Sequence, residues 1–390
     1  MGQPPLASRM AQIAPFHVMA LLGRARELEA EGRSIIHMEI GEPDFPTPPA
    51  VVAAAREALA SGQTHYTPAL GLPALREAIA EHYQRRYGVD VPARRIVITS
   101  GASGALLLAL GVVLDRDSEV LMADPGYPCN RHFVRFIEGK VRTIPTGPQE
   151  GFQINAALLE QHWREPTRAV MVASPSNPTG TVIPAAEMAA MASLVERRGG
   201  VMVVDEIYHE LTYAQDSPSA LSVSERLFVT NSFSKYFCMT GWRLGWLVVP
   251  EPYLEMVERL AQNLFIAPPT LSQHAALAAF LPETIALLEQ QKQILAERRD
   301  YLVGALRELG FVIPCEPDGA FYLYADCSAF SEDSMQLAQQ LLEEAGVAVT
   351  PGIDFGDNQG QHYLRFSFTT ELSQLREGVA RIGNWLQRPA

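Results

Sequence analysis

Lysine is scarce in this 390-residue chain: only Lys140, Lys235 and Lys292 occur among its 31 basic residues. Lys140 falls in a Glu-Gly-Lys-Val turn and Lys292 in the Gln-rich middle of a helical pattern, both ordinary solvated settings. Cysteine is scarce as well. Cys129, Cys238, Cys315 and Cys327 form no Cys-x-x-Cys pair and are too few for a disulfide scaffold, so a reducing cytoplasm is the expected compartment and no metal is expected. No apolar run reaches the ~18 residues of a membrane-crossing helix, so no membrane association is expected. Residues 11–23 are broken by Pro15 and His17 and lack a small-residue cleavage pattern, which argues against a signal peptide. The net charge of −13, with no basic block to offset it, argues against a nucleic-acid partner. What remains is a chain 47% hydrophobic and 19% charged, the balance of a globular protein, with a length that suggests about two domains.

Short β-branched runs recur between helical patterns: Ile96-Val-Ile-Thr99, Glu119-Val-Leu-Met122, Ala169-Val-Met-Val172, Val201-Met-Val-Val204, Leu227-Phe-Val-Thr230 and Leu244-Gly-Trp-Leu-Val248. Strands alternating with helices predict an α/β fold with a mainly parallel sheet covered on both faces. Such sheets carry their chemistry at the carboxyl ends of the strands. Five polar motifs stand there: Ser100-Gly-Ala-Ser103, Asp124-Pro-Gly-Tyr127, Ser174-Pro-Ser-Asn-Pro-Thr-Gly180, Asp205-Glu-Ile-Tyr208 and Ser232-Phe-Ser-Lys235. From Pro282 to Gly310 the apolar spacing turns helical, with Gly310 as the expected stop. Beyond it, Gly319-Ala-Phe-Tyr-Leu-Tyr324, Val347-Ala-Val-Thr350 and His362-Tyr-Leu-Arg-Phe-Ser-Phe368 read as strands of a smaller α+β domain, which the N-terminal segment to about residue 44 is expected to join. The division expected is residues 1–44 as an arm and part of the small domain, 45–285 as the large domain, and 286–390 as the small domain.

Lys235 differs from the other two lysines. Ser232 and Ser234 supply hydroxyls, Phe233 and Tyr236 flank it, and Arg243 stands eight residues on. A lysine among apolar groups and near another cation loses its proton more readily, and the neutral amine attacks carbonyls to form Schiff bases. Two serines and an arginine suit a phosphate. Lysine and phosphate grip together point to pyridoxal 5′-phosphate, PLP, although the segment alone also reads as a strand-turn-strand with a surface lysine. PLP needs an acid partner for its ring nitrogen. Asp205 is the candidate, against the plainer reading of a helix cap. Tyr208 and Asn177 are candidates for the ring oxygen, against the readings of a core aromatic and a turn. Gly101 and Ala102 open an apolar helix whose free N–H groups suit phosphate. The segment does not match the nucleophile elbow, the dinucleotide fingerprint or the Walker loop.

These residues bring the chain close to a known family. It resembles the class I (class I/II) PLP-dependent aminotransferases of fold type I through Gly41-Glu-Pro-Asp-Phe45, Tyr66-Thr-Pro, Ser100-Gly-Ala-Ser, Asp124-Pro-Gly-Tyr127, Asn177-Pro-Thr-Gly, Asp205-Glu-Ile-Tyr208, Ser232-Phe-Ser-Lys235, Gly241-Trp-Arg243 and Arg365-Phe-Ser. The resemblance implies a large domain with a mainly parallel seven-stranded sheet and a smaller α+β domain. It implies PLP on Lys235, with Asp205 at the ring nitrogen, Tyr208 and Asn177 at the ring oxygen and Tyr127 stacked on the ring. Phosphate would be held by Ser100, Gly101, Ala102, Ser103, Ser232, Ser234 and Arg243, and by Tyr66 of a neighbouring subunit, hence a homodimer with shared sites. Arg365 would fork onto the substrate α-carboxylate with Gly41 and Asn177 assisting. Without the resemblance, Arg365 in a Tyr-Leu-Arg-Phe strand reads as a surface residue.

The implied reaction is ping-pong transfer of an amino group between amino and 2-oxo acids. A β-lyase or aspartate aminotransferase of the same fold is an alternative, and so is a PLP-binding sensor fused to a DNA-binding domain. The sensor is disfavoured because only about forty, weakly basic residues precede Gly41. One departure bears on substrate. The aspartate- and prephenate-specific branch has a lysine where this chain has Ser103, and the segment Ala14-Pro-Phe-His-Val-Met19, with Phe16 and His17 as candidate substrate contacts, is rich in apolar bulk. A distal carboxylate would lack a partner there, so neutral amino donors are expected.

Overall fold

The computed structural model describes residues 6–15, 17–213 and 217–387. Strand β1 (Ile36–His37) precedes β2 (Ile96–Thr99), β3 (Glu119–Asp124), β4 (Lys140–Pro145), β5 (Thr167–Ala173), β6 (Val201–Asp205), β7 (Phe228–Ser232) and β8 (Gly245–Val248). The last seven form one sheet in the order β2-β8-β7-β6-β5-β3-β4, in which β8 runs antiparallel to both its neighbours and the other pairs are parallel. Central strands of such a sheet are buried on both faces and read as continuous apolar runs, which is why six of the seven are visible in the sequence. The seventh is not. Lys-Val-Arg-Thr-Ile-Pro is expected to begin as a turn, but the turn is made by Glu138, in the left-handed region at φ 65°, and Gly139. Lys140 instead opens β4 and pairs with Asp117 at 2.9 Å, both side chains exposed. An edge strand tolerates this charge because one flank faces solvent.

A second, three-stranded sheet is built from β9 (Tyr322–Asp326), β11 (Thr350–Pro351) and β12 (Tyr363–Ser367), with β12 central and antiparallel to both partners. β10 (Val347–Ala348) pairs in parallel with β1. The helix Pro282–Glu308 links the two parts, and Gly310, at φ +99°, stops it as expected. Among the described residues no single helix is long and apolar enough to cross a membrane.

The part of the core that matters for the site is aromatic. Phe233 and Phe237 bracket Lys235 and are both fully buried, their ring centroids 5.1 Å apart. Phe233 packs edge-on against Trp246 at 5.1 Å, and the Trp246 indole N–H donates to the Tyr83 hydroxyl at 3.1 Å. The loop after β7 is thus pinned by its own aromatics on either side of the lysine.

β8 must also pass close beneath the helix Gly101–Val113. A Cβ on Gly245 would stand 2.7 Å from the Asn231 carbonyl oxygen, 2.8 Å from the Gly101 carbonyl carbon and 2.9 Å from the Ala102 nitrogen. All three are backbone, so none can rotate away. Gly245→Ala should therefore cost about 1–3 kcal/mol of stability in urea denaturation, the usual toll of overpacking. A variant within a few tenths of wild type would show that the helix can move.

Candidate active site

One cavity of about 490 Å³ opens at the carboxyl ends of the parallel strands, where β2, β5, β6 and β7 deliver their loops. It is lined by Gly41, Ala102, Ser103, Tyr127, Asn177, Asp205, Tyr208, Ser234, Lys235, Arg243 and Arg365, eleven of the residues singled out from sequence. Five others stand elsewhere. Ser100 and Gly101 sit just behind the wall, at the helix start. Ser232 is buried, its hydroxyl 2.9 Å from that of Ser234 and 3.0 Å from the Leu244 carbonyl, and it accepts the Ser234 N–H. It shapes the loop that presents Ser234. Tyr66 is 81% exposed and away from this cavity. His17 is exposed, and its contribution is its backbone N–H, which donates to Asp354 Oδ1 at 3.0 Å. Phe16 lies outside the described residues.

The Lys235 amine donates to the Gly41 carbonyl at 2.5 Å and lies 5.7 Å from the ring centroids of both Tyr208 and Phe321. Burial lowers its pKa to about 8; Arg365 and Arg243 add to the fall and Glu42 opposes it. Asp205 is buried at the end of β6. Its Oδ1 accepts the Ile207 N–H at 3.1 Å and the Thr230 hydroxyl at 3.2 Å. Burial raises it to about 6, with those two donors limiting the rise. Tyr208 lies 2.9 Å from Tyr322, hydroxyl to hydroxyl, and burial holds its phenol protonated far above the usual range.

Arg365 departs most from its sequence reading as a surface residue. It is 3% exposed, because both faces of β12 are covered and all its residues are buried. Its Nη1 donates to Asn177 Oδ1 at 2.9 Å, and its Nη2 to the Glu39 carbonyl at 2.6 Å and to Thr350 Oγ1 at 3.1 Å. The guanidinium lies 4.3 Å from the Tyr322 ring centroid and 5.0 Å from that of Phe355. Its Nε finds no partner among the described residues, as expected of a donor held for a ligand.

The arrangement fits PLP. Gly101, at φ +70°, lets the opening of the helix Gly101–Val113 approach Arg243 so closely that a Cβ would stand 2.8 Å from Nη2. Helix N–H groups, a guanidinium and the Ser234 hydroxyl so converge on one end of the cavity, a ready site for a phosphate dianion. Asp205 and Lys235 lie along the same wall. Sequence reading does not find Tyr322, Glu39, or the residues of the helix His17–Ala30 beyond Met19 that line the cavity. The helix signal is Val18, Leu22 and Arg26, four apart and so on one face.

The two shifted groups give opposite pH dependences in the cofactor-free protein. Folded Asp205 keeps its proton to about pH 6, whereas an unfolded aspartate loses it near pH 4. The folded state binds more protons between those values, so stability falls as pH rises through them. Folded Lys235 deprotonates at about 8, below the ~10.4 of an unfolded lysine, so stability rises between those values. Asp205→Asn should abolish the first fall: its stability relative to wild type should grow from pH 4 to 6 by on the order of 3 kcal/mol. A difference independent of pH in thermal melts would contradict a raised Asp205.

The family profile described as aminotransferase class I and II matches residues 33–382. The valine–pyruvate aminotransferase of Mycobacterium tuberculosis is 43% identical over 378 residues, 96% of this chain and 97% of that one. The aspartate/prephenate aminotransferase of Thermus thermophilus is 35% identical over 98% of this chain and 99% of its own. Among solved structures, an aminotransferase from M. tuberculosis superposes with a TM-score of 0.94 at 43% identity, covering 98% of this chain and 99% of that one. The T. thermophilus aspartate aminotransferase with maleate gives 0.92 at 34% identity, over 98% and 100%. The cavity, its lysine and these likenesses agree: the chain belongs to the class I and II aminotransferases, PLP-dependent transaminases of fold type I that act on amino and oxo acids.

Proposed function

We propose that this transaminase takes its nitrogen from a neutral amino acid, apolar or aromatic in side chain, and passes it to a 2-oxo acid such as pyruvate or 2-oxoglutarate by a ping-pong sequence. The observation that carries this reading is the wall of the cavity made by Val18, Met19, Leu22, Leu106 and Phe133, with Ser103 on the same lining; the resemblance puts a lysine at the Ser103 position in the aspartate-specific branch. A short dicarboxylate such as aspartate would bring a charge against apolar surface. The relative at 43% identity is named for valine and pyruvate, which is in keeping with this reading.

PLP, when bound, supplies an aldehyde that amines condense with and a ring that draws electrons from the substrate Cα. The roles proposed for the chain's own residues rest on their placement. Lys235, at about pKa 8, offers a neutral amine to a useful extent near neutral pH and moves a proton at Nζ. Asp205 holds a proton on the ring nitrogen, and Tyr208 and Asn177 hold the ring oxygen. Tyr127 lies against the ring face. Ser234, Arg243 and the Ala102 and Ser103 N–H groups hold phosphate, with Ser100, Gly101 and Ser232 shaping that cradle. Arg365 orients the α-carboxylate, with Gly41 and Asn177 closing over it. Tyr66, exposed here, fits a reach into a neighbouring copy's phosphate site in a homodimer with shared sites. The same reading divides the chain into an arm to residue 44, a large domain over 45–285 and a small domain over 286–390.

Borohydride reduction of the PLP-loaded enzyme, with peptide mapping of the product, should place the adduct on Lys235. An adduct on Lys140 or Lys292 would refute the assignment. In a donor panel monitored by cofactor absorbance, kcat/KM for at least one of alanine, valine, leucine, methionine or phenylalanine should exceed that for aspartate by about tenfold or more, the worth of one misplaced charge. Aspartate leading the panel would overturn the substrate reading while leaving the transaminase intact. Release of an oxo acid and ammonia, with no nitrogen passed on, would favour a lyase instead.

A further inference from the structure

Three arginines line the cavity, and two have work assigned to them: Arg243 at the phosphate cradle and Arg365 at the α-carboxylate. The third, Arg26, is exposed and makes no hydrogen bond or ion pair among the described residues. Its neighbour Arg24, on another face of the same helix, is by contrast fully engaged with Glu27 and Glu343. Arg26 comes after Val18 and Leu22 at successive four-residue steps on the helix His17–Ala30, so the face that supplies apolar wall at one end supplies a free guanidinium one turn further along. That helix is held in place by the Asp354 carboxylate, which accepts the His17 and Val18 N–H groups at 3.0 and 3.2 Å. Besides Asp205, two carboxylates line the cavity, Glu42 and Glu39: Glu42 Oε1 accepts the Thr240 hydroxyl, and Glu39 Oε2 finds no partner among the described residues. The Glu42 charge is left facing the cavity, and the glutarate measurement below reads the net effect. The Glu39 charge is partly neutralised by His37, 2.7 Å from Oε1 and held protonated by that contact, its pKa raised to about 9.

Resting on the reading of this cavity as the substrate site, we propose that Arg26 receives the distal carboxylate of a five-carbon dicarboxylate, 2-oxoglutarate or glutamate. One cavity then serves two classes of chain: apolar side chains settle on Val18, Met19, Leu22, Leu106 and Phe133, while the dicarboxylate extends past them to the guanidinium. A four-carbon dicarboxylate stops short of it, its charge left over the apolar wall.

The test compares PLP-loaded wild type with Arg26→Gln and Arg26→Lys. In Arg26→Gln the ratio of kcat/KM for 2-oxoglutarate to that for pyruvate should fall about thirtyfold, the size of a lost charge-assisted contact, and Arg26→Lys should recover part of it. Calorimetric binding of glutarate, a non-reacting five-carbon diacid, should weaken in Arg26→Gln by a similar factor relative to butyrate, a readout independent of turnover. An unchanged ratio, or an equal fall for both oxo acids, would overturn the assignment. So would glutarate binding that Arg26→Gln leaves intact. A wild-type enzyme that passes nitrogen to neither oxo acid would overturn the functional reading itself, and this assignment with it.

Discussion

Burial of the Lys235 amine sets the conditions for its surroundings, because an ammonium kept from water is costly unless something compensates it. The compensation here is partial by construction: one carbonyl at 2.5 Å, two aromatic faces and the Glu42 carboxylate favour the charge, and the cations Arg365 and Arg243 oppose it. The amine therefore releases its proton near pH 8 and can work as a nucleophile. That state survives only while the loop holds still, since a side chain free to swing into solvent would regain its proton. Phe233 and Phe237, both fully buried on either side, supply the rigidity, and Trp246 and Tyr83 extend it into the sheet and the flanking helix Pro73–Tyr87. The aromatic cluster thus helps to hold the state of the amine although none of its four rings lines the cavity.

Asp205 obeys the same physics with the opposite sign. Burial favours its neutral form, and two donors on Oδ1 restore part of its acidity. A cation brought against it would complete the pair that the chain alone leaves unmade. The same incompleteness recurs at Arg365 Nε, a buried donor without an acceptor among the described residues. Buried polar groups are normally satisfied, so a donor left open in the wall of a cavity marks where a ligand atom belongs more directly than the cavity's size does.

The catalytic face is readable in the sequence because parallel strands buried on both sides appear as unbroken apolar runs, and the loop after each run must lie on one edge of the sheet. Lys235, Asp205 and Asn177 can be located on that basis alone. Other features depend on partners far away in the chain. Arg365 reads as exposed because strand alternation presumes one open face, whereas both faces of β12 are covered, that of Arg365 by Tyr322, Phe355 and Asn177. The helix His17–Ala30 has no local capping residue in Ala14-Pro15; its cap, Asp354, is 336 residues from Val18. Lys140 reads as a turn residue because an edge strand has no apolar signature.

These long-range contacts also divide the labour between the two parts of the chain. The groups we propose for PLP chemistry, Lys235, Asp205, Ser234, Arg243 and the helix Gly101–Val113, belong to the seven-stranded sheet and its loops, where backbone packing as tight as that at Gly245 fixes positions. The residues proposed to meet the side chain of a substrate, Val18, Met19, Leu22 and Arg26, stand on a helix tied to the smaller sheet region through Asp354. Arg365 sits where the two meet, bonded to Asn177 of one and to Thr350 and the Glu39 carbonyl of the other. A change of side chains on that helix can alter which substrate is accepted without disturbing the desolvation that sets Lys235 and Asp205. That relatives of one family are named for different amino acids, valine for one and aspartate or prephenate for another, is in keeping with such a division.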